Sequence, residues 1–425
     1  MNNEIKEAEK VLQDEFHKVD EIEEYNTSKV MNAFYKNELS ESDLYGTTGY
    51  GYGDAGRDKI ENIYKDIFKC EDALVRSQFI SGTHAITKTL FGLLRPNDNM
   101  LSITGMPYDT LHEVIGIKDN NSSLKSFLIS FNKIDLVNND FDYEKIDEYL
   151  KNNNPKIIHI QRSKGYDNRE SLSITKLEKV IKFIKERCNS IVMVDNCYCE
   201  FVSKKEPTEV GADIVVGSLI KNLGAGMCSN GGYVVGKKSL VKLVAESLNV
   251  PGEGKEVGPS INFNKMILMG LFLAPSVVSS SLKINILTSY LLDKRGYNVS
   301  PLYNEEHSDI VLSIVFNDKD KLISFIRGIQ NGSPIDSNVT LIPSPMPGYD
   351  DDIIMASGSF TQGSSIEISC DGPIRPPYIA YLQGGLTYQS AKFAIKKAIE
   401  NIDKLWYYII IDRSSVWKKE KKIFI

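Results

Sequence analysis

Two nearby segments, VMVDNCYCEF (residues 192–201) and GADIVVGSLIKNLGAG (residues 211–226), carry an aspartate, a serine and a lysine whose types and spacing suit one chemistry. Asp195 closes one apolar run. Ser218 closes a second, and Lys221 follows three residues later in a glycine-flanked turn. An amine held in such a turn can reach into a crevice and form an imine with an aldehyde; partial desolvation is expected to lower its pKa and free it for that attack. An aspartate across the crevice can keep a pyridine nitrogen protonated. Singly, Asp195 reads as a cap or turn residue, and Ser218-x-x-Lys221 as ordinary solvent-facing side chains. Together they meet the two fixed requirements of a pyridoxal phosphate site.

A phosphate then needs a cradle. Ile80-Ser81-Gly82-Thr83-His84-Ala85 joins an expected strand to an expected helix. That puts the amides of Gly82 and Thr83 at a helix N-terminus, where the dipole and unpaired N–H groups favour an anion. Ser218 Oγ can serve the same anion. A plain N-cap at Ser81 would use the same residues. The stretch GYGYGDAG (residues 49–56) matches G-x-G-x-x-G through Gly51, Gly53 and Gly56. A dinucleotide fingerprint requires a buried strand before it, however, and the preceding NELSESDLYGTT is polar. Pro251-Gly-Glu-Gly-Lys255-Glu lacks the spacing of a nucleotide loop and reads as a mobile loop bringing Lys255 toward the site. His84 and His112 read as packing or solvent-facing residues.

Positioning these groups falls to alternating strands and helices. Short apolar runs at residues 73–77, 100–104, 156–161, 191–195, 213–217 and 232–236 read as strands. Residues 83–94 read as a helix, and Thr175-Lys-Leu-Glu178 as a capping box opening another. Such alternation implies an α/β fold with a mostly parallel sheet covered on both faces, its ligands beyond the C-terminal ends of strands. After about residue 285 the pattern shifts. A strand at 307–316, a helix at 319–330 and a strand at 365–369 indicate a smaller α+β domain. The expected organisation is an N-terminal arm and helix over 1–56, a large domain over 57–285 and a small domain over 286–425, within a length that suffices for sizeable cores.

A net charge of −6 argues against a nucleic-acid or anionic-membrane partner. The opening MNNEIKEAEKVLQDEF is charged and amphipathic, without the apolar stretch of a secretory signal. The longest apolar run, residues 266–278, is broken by Gly270 and Pro275 and reads as too short to span a bilayer. The six cysteines are irregularly spaced, and Cys197-x-Cys199 has neither a second pair nor a nearby histidine. Free thiols in a reducing cytoplasm are therefore expected, and a zinc site is not. Residues 406–425, an apolar patch with the basic run KKEKK, read as a peripheral helix or strand with a solvated end.

The chain resembles the fold-type I pyridoxal phosphate enzymes of cysteine and methionine metabolism, which include methionine γ-lyase and the cystathionine lyases. Within them it is most similar to the branch labelled methionine γ-lyase family or aluminium resistance protein. The resemblance rests on GYGYGDAGRDKIE (49–61), SGTHAI (81–86), GMPYDTL (105–111), VDNCYCEF (194–201), GADIVVGSLIKNLGAG (211–226) and SCDGPIRPPYIAYLQGGLTY (369–388), and covers roughly residues 30–400. It implies that Lys221 is the Schiff-base lysine, that Asp195 partners the pyridinium nitrogen, and that Gly82, Thr83 and Ser218 cradle the phosphate. Tyr108 stands where the family stacks an aromatic ring on the cofactor, and its phenol would assist proton transfer to the leaving sulfur. Arg375 is expected to clamp the substrate carboxylate with its planar fork.

In the same group an N-terminal segment of one subunit reaches into the neighbour's site. Tyr50, Tyr52 and Arg57 are therefore expected at the cofactor phosphate across an interface, which requires at least a homodimer and fits a tetramer. Relatives place the Tyr and Arg two residues apart, whereas Arg57 lies five beyond Tyr52. The implied reaction is β- or γ-elimination from methionine, cystathionine, homocysteine or cysteine, giving thiol, ammonia and a 2-oxo acid. A γ-synthase or aminotransferase, or a non-catalytic stress-related protein retaining the fold, would share the same cofactor residues. Metal tolerance has no metal-ligand cluster in the sequence behind it.

Overall fold

Seven strands build a first sheet: β1 (Asp72–Arg76), β2 (Asn99–Ser102), β3 (Ser130–Lys133), β4 (Ile157–Gln161), β5 (Ile191–Asp195), β6 (Ile214–Ser218) and β7 (Gly232–Gly236). The computed structural model describes residues 1–346 and 349–420, with side chains as far as Leu405. The strands lie in the order β1-β7-β6-β5-β4-β2-β3, all parallel except β7, which runs antiparallel to β1 and β6. Every residue of β4, β6 and β7 is buried, because helices cover both faces there, while the edge strand β3 is largely exposed. Gln161, Asp195 and Val216 lie level across β4, β5 and β6. That register brings the ends of three strands to one edge.

The helix Asn264–Asp293 closes one face of this sheet, and the helices Gly82–Leu93 and Lys238–Leu248 close the other. The expectation that residues 266–278 form a broken apolar run does not hold: the helix passes through Gly270 and Pro275. It is long and apolar enough to cross a membrane by length and composition, but 72% of its apolar window is buried inside the protein. Tertiary burial on this scale outweighs the weak helix propensity of one glycine and one proline. The helix also runs across the expected boundary at 285. The N-terminal helices Asn2–Val11 and Gln13–Lys36 pack in their own chain: Ser276 Oγ donates to Glu23 at 2.6 Å, Lys283 pairs with Asp20, and Asn26 Nδ2 reaches the carbonyls of Phe201 and Ser203 at 3.2 and 3.1 Å. The segment from 37 to 54 joins these helices to the helix Ala55–Phe68 through turns and one short 3-10 helix, Glu41–Leu44.

A second, antiparallel sheet holds β8 (Asn298–Ser300), β9 (Val311–Val315), β10 (Ile353–Ala356), β11 (Ser369–Pro373) and β12 (Ile379–Gln383), ordered β10-β11-β12-β9-β8. It is backed by the helices Lys319–Gly332 and Tyr388–Glu420. The strand expected at 365–369 starts instead at Ser369. The Glu367 carboxylate accepts the amides of Phe360 and Thr361 at 2.6 and 2.9 Å, and the Ile366 and Glu367 carbonyls pair with the loop after β12. Those bonds fold 365–368 into turns. The capping box expected at Thr175 also moves. Ser173 caps the helix Ile174–Lys185 by accepting from Lys176 N–H at 3.3 Å, one turn ahead of the buried stripe that begins at Leu177. All six cysteines are free thiols. Of the segment 406–425, the backbone is helical to Glu420, and the rest lies outside the described residues.

Candidate active site

At the level edge of β4, β5 and β6, the chain after Asp195 turns sharply: Asp195 Oδ1 accepts the Cys197 amide at 3.1 Å. Tyr198 holds φ +71°. A bulky aromatic residue seldom adopts that left-handed backbone, which here sets its partly buried ring beside the lysine. Lys221 Nζ lies 3.6 Å from the centroid of that ring. Lys221 and Asp195, the latter 8% exposed, line one pocket together with Tyr198, Tyr108 and Thr83. Burial alone would push the Lys221 ammonium toward neutrality. Cys197, Tyr198 and Asp195 around it reverse that, and the amine is held above the ordinary lysine range. The lowering expected from desolvation is thus outweighed by acidic neighbours in the same crevice.

The edge beside this pocket suits an anion. Ser81 caps the helix Gly82–Leu93, its side chain accepting from His84 N–H at 3.2 Å. A Cβ on Gly82 would lie 3.1 Å from Ser218 Cβ and 3.2 Å from Cys197 Sγ, a tight fit that glycine relieves where this helix end approaches β6. Ser218 is fully buried, and its Oγ accepts the Ile220 amide at 3.2 Å, which leaves a hydroxyl that can still donate. Thr83 Oγ1 is 3.1 Å from Thr110 Oγ1, tying the helix to the Tyr108 loop.

Tyr108 is fixed from two sides. Its amide donates to Gln161 Oε1 at 2.9 Å, and its ring covers Gly165, where a Cβ would stand 3.0 Å from Tyr108 Cδ2. Burial first, then the surrounding tyrosines, push its phenol well above the ordinary range, and its hydroxyl is hydrogen-bonded to that of Tyr349. Arg375 shares an adjoining cleft with Tyr108, Gln161 and Tyr166 and pairs with Asp351 at 2.8 Å.

Tyr50, Tyr52, Arg57, Lys255, His84 and His112 line neither this pocket nor the adjoining cleft of their own chain. Tyr50 and Tyr52 are 72% and 60% exposed and stack on each other with centroids 5.5 Å apart. Arg57, expected at a neighbour's phosphate, is committed to its own chain: it is 3% exposed, and Nη1 donates to the Gly51 and Gly258 carbonyls at 2.7 and 3.0 Å. Lys255 does not approach the site. It is drawn off by Glu61 and Asp72 at 3.0 and 2.7 Å. His84 accepts the Ile80 amide at 3.1 Å, and His112 meets the Pro107 carbonyl at 3.0 Å, so both serve local packing.

Sequence reading missed several residues of the cleft. Tyr198 and Cys197 stand inside VDNCYCEF beside Asp195, and Asp371 stands inside SCDGPIRPPY four residues before Arg375. The motifs were visible, while the faces their side chains take were not. His159 on β4 is fully buried with neither ring nitrogen partnered among the described residues; burial pushes it down to about 4, against the pull of Asp195.

With this geometry in place, comparison decides the kinship. The family model for methionine gamma-lyase matches residues 1–403. The chain belongs to the methionine gamma-lyase family. YnbB of Bacillus subtilis is 48% identical over 388 residues, 90% of this chain and 92% of that one. A solved Listeria monocytogenes protein, described as a candidate cystathionine beta-lyase involved in aluminium resistance, is 46% identical with a TM-score of 0.91 over 95% of this chain and all of its own. A carbon-sulfur lyase involved in aluminium resistance from Clostridium novyi is 47% identical, with a TM-score of 0.90 and 94% of each chain covered. The L-methionine gamma-lyase of Pseudomonas putida is 30% identical over 164 residues, 38% of this family member and 36% of its own length. A pyridoxal-5'-phosphate dependent Escherichia coli protein, YhfS, shares the fold at 15% identity and a TM-score of 0.61. The architecture is that of fold-type I pyridoxal phosphate enzymes.

Proposed function

We propose that this family member is a pyridoxal phosphate-dependent carbon–sulfur lyase that releases thiol, ammonia and a 2-oxo acid from a sulfur-containing amino acid. The observation that carries this reading is that Lys221 and Asp195 line one pocket, beside a helix N-terminus packed closely against Ser218 and Cys197 at Gly82. Lys221 would hold the cofactor through its amine, and Asp195 would hold charge on the ring nitrogen. Gly82, Thr83 and Ser218 would hold the phosphate, and Tyr108 would cover the ring. When bound, the cofactor supplies an electron sink for the charge left at the substrate's Cα.

The protein's own groups supply the rest. Arg375 offers a planar fork to the substrate carboxylate in place of Asp351. The Lys221 amine, once released, is the base for the Cα proton. Tyr108, whose buried phenol keeps its proton, is the acid that donates it to the departing sulfur. For γ-cleavage a second proton must also leave Cβ. The exposed Tyr50–Tyr52 stack, with Ile80 and Ile261 exposed on neighbouring segments, supports a second copy of this chain as partner, in a dimer or tetramer. Six free thiols fit a reducing, cytoplasmic setting.

The experiment is a screen of purified, cofactor-loaded protein with methionine, cystathionine, homocysteine and cysteine, reading 2-oxo acid and thiol. Release of both without an acceptor substrate is the expected result. Cofactor uptake with no 2-oxo acid from any of the four would overturn the lyase reading.

A further inference from the structure

One face of the second sheet carries Ser369 and Asp371 on β11, opposite Gln383 and Tyr381 on β12, and it meets the cleft through Tyr166, which lines the space beside Arg375. Asp371 is 7% exposed. Its Oδ2 accepts the Tyr166 hydroxyl at 2.5 Å, whereas Oδ1 has no partner among the described residues. Tyr166 belongs to the loop after β4 and packs on Tyr108 and Tyr381, with ring centroids 5.9 and 5.1 Å away. Asp371 therefore lies where the two sheets meet, close enough for its charge to act on Lys221 and Tyr198. The cations of the cleft are otherwise engaged. Arg375 pairs with Asp351, and Lys221 gives up its free ammonium when it carries the cofactor. A buried carboxylate without a cation is unfavourable, and an amino-acid substrate brings one.

Resting on the function proposed above, we propose that Asp371 is a further catalytic residue: Oδ1 binds the substrate's α-ammonium group and takes one proton from it. One N–H bond breaks and one O–H bond forms on the carboxylate. The nitrogen keeps the electron pair it needs as a nucleophile, and the positive charge of the ammonium neutralises the carboxylate, so net charge is unchanged. Burial pushes the Asp371 carboxyl up to about 6, with the Tyr166 hydrogen bond and Lys221 pulling the other way, which suits a base working near neutrality. The groups that face it titrate elsewhere. Tyr108, Tyr166, Tyr198 and Tyr349 are held above the ordinary tyrosine range, chiefly by burial, Cys370 on the same strand is likewise pushed up, and Lys221 is held above the ordinary lysine range until it carries the cofactor.

The test is calorimetric titration of the cofactor-loaded protein with L-norleucine, an amino acid with no sulfur leaving group, and with hexanoate, which lacks the ammonium. Asp371 is ionised above its pKa, so norleucine binding should weaken about ten-fold as pH falls from roughly 7.5 to 5. Asp371→Asn should bind norleucine about ten-fold more weakly at the upper pH and show no pH dependence over that window, with hexanoate binding unchanged. Tyr166→Phe removes a bond that favours the carboxylate, so the midpoint of the pH dependence should move upward, which a merely structural contact would not cause. An Asp371→Asn protein with wild-type norleucine affinity and pH dependence overturns the assignment. If that variant does not fold, an unmoved midpoint in Tyr166→Phe does the same. A wild-type protein that takes up no cofactor overturns the function on which the assignment rests, and is told apart by its missing visible absorbance.

Discussion

On the first-sheet wall of the cleft, Asp195, Ser218 and Lys221 stand at or just past the ends of β5 and β6, level with Gln161 on β4. On the facing wall, Asp371 lies within β11 and accepts a hydrogen bond from Tyr166 of the loop after β4, and Arg375 and Tyr349 ride on loops. The first wall is built from a parallel ladder buried on both faces, in which Gln161, Asp195 and Val216 are held level. The second is an antiparallel sheet whose working groups are paired with one another: Arg375 with Asp351, Tyr349 with Tyr108. A rigid wall suits a cofactor that stays, and a wall of exchangeable pairs suits a substrate that comes and goes.

If that division is right, damage to the first wall should abolish chemistry and damage to the second should weaken binding. Lys221→Ala is the largest expected effect: loss of the imine absorbance near the visible edge and a fall in turnover of about 10³-fold or more, read by absorbance and 2-oxo acid release. A yellow, active variant would break the comparison at its root. Asp195→Asn keeps the shape but removes the charge; turnover should drop about 10²-fold while the cofactor still binds, measured by steady-state kinetics on protein reconstituted to saturation.

Arg375→Ala tests the other wall. It removes one charge-assisted partner for a carboxylate, worth about 1.5–3 kcal/mol, so KM should rise about ten- to a hundred-fold with turnover changed far less. Equal losses in kcat and kcat/KM would instead place Arg375 with the first wall.

The same division explains what could be read from residues alone. The first wall is local in sequence: an apolar run ending in Asp195, another ending just before Ser218 and a turn bearing Lys221 are all visible in one dimension, whereas the strand order and the antiparallel β7 are not. The second wall is assembled at long range. Nothing in the spacing of SCDGPIRPPY tells that the strand ends at Pro373, leaving Arg375 on a loop, or which face of the strand Asp371 shares with the core, because alternation gives two faces without saying which is inward. Tyr166 lies more than two hundred residues from the carboxylate it binds. The direction of the Lys221 shift was hidden for a similar reason, since desolvation is a property of the pocket and the opposing charges come from neighbours placed only by folding.

The glycine-rich segment belongs to neither wall, and the smallest expected effect addresses it. Gly51 holds φ +72°, and a Cβ there would lie 2.6 Å from the Gly258 carbonyl oxygen, so the turn is pressed against the segment near 258. Arg57 clips the two together by donating to both carbonyls, while Asp54, which accepts the Arg57 amide at 2.9 Å and binds Thr47, Ser260 and Asn264, caps the helix beneath. Arg57→Ala strips two buried carbonyls of a charged donor and should destabilise the fold by about 2 kcal/mol, lowering the melting temperature by a few degrees. Cofactor affinity should change by less than about three-fold, because this guanidinium is spent inside its own chain. A loss of cofactor affinity greater than about ten-fold, with the melting temperature unmoved, would instead place Arg57 at a phosphate across a subunit interface, and the Tyr50–Tyr52 stack with it.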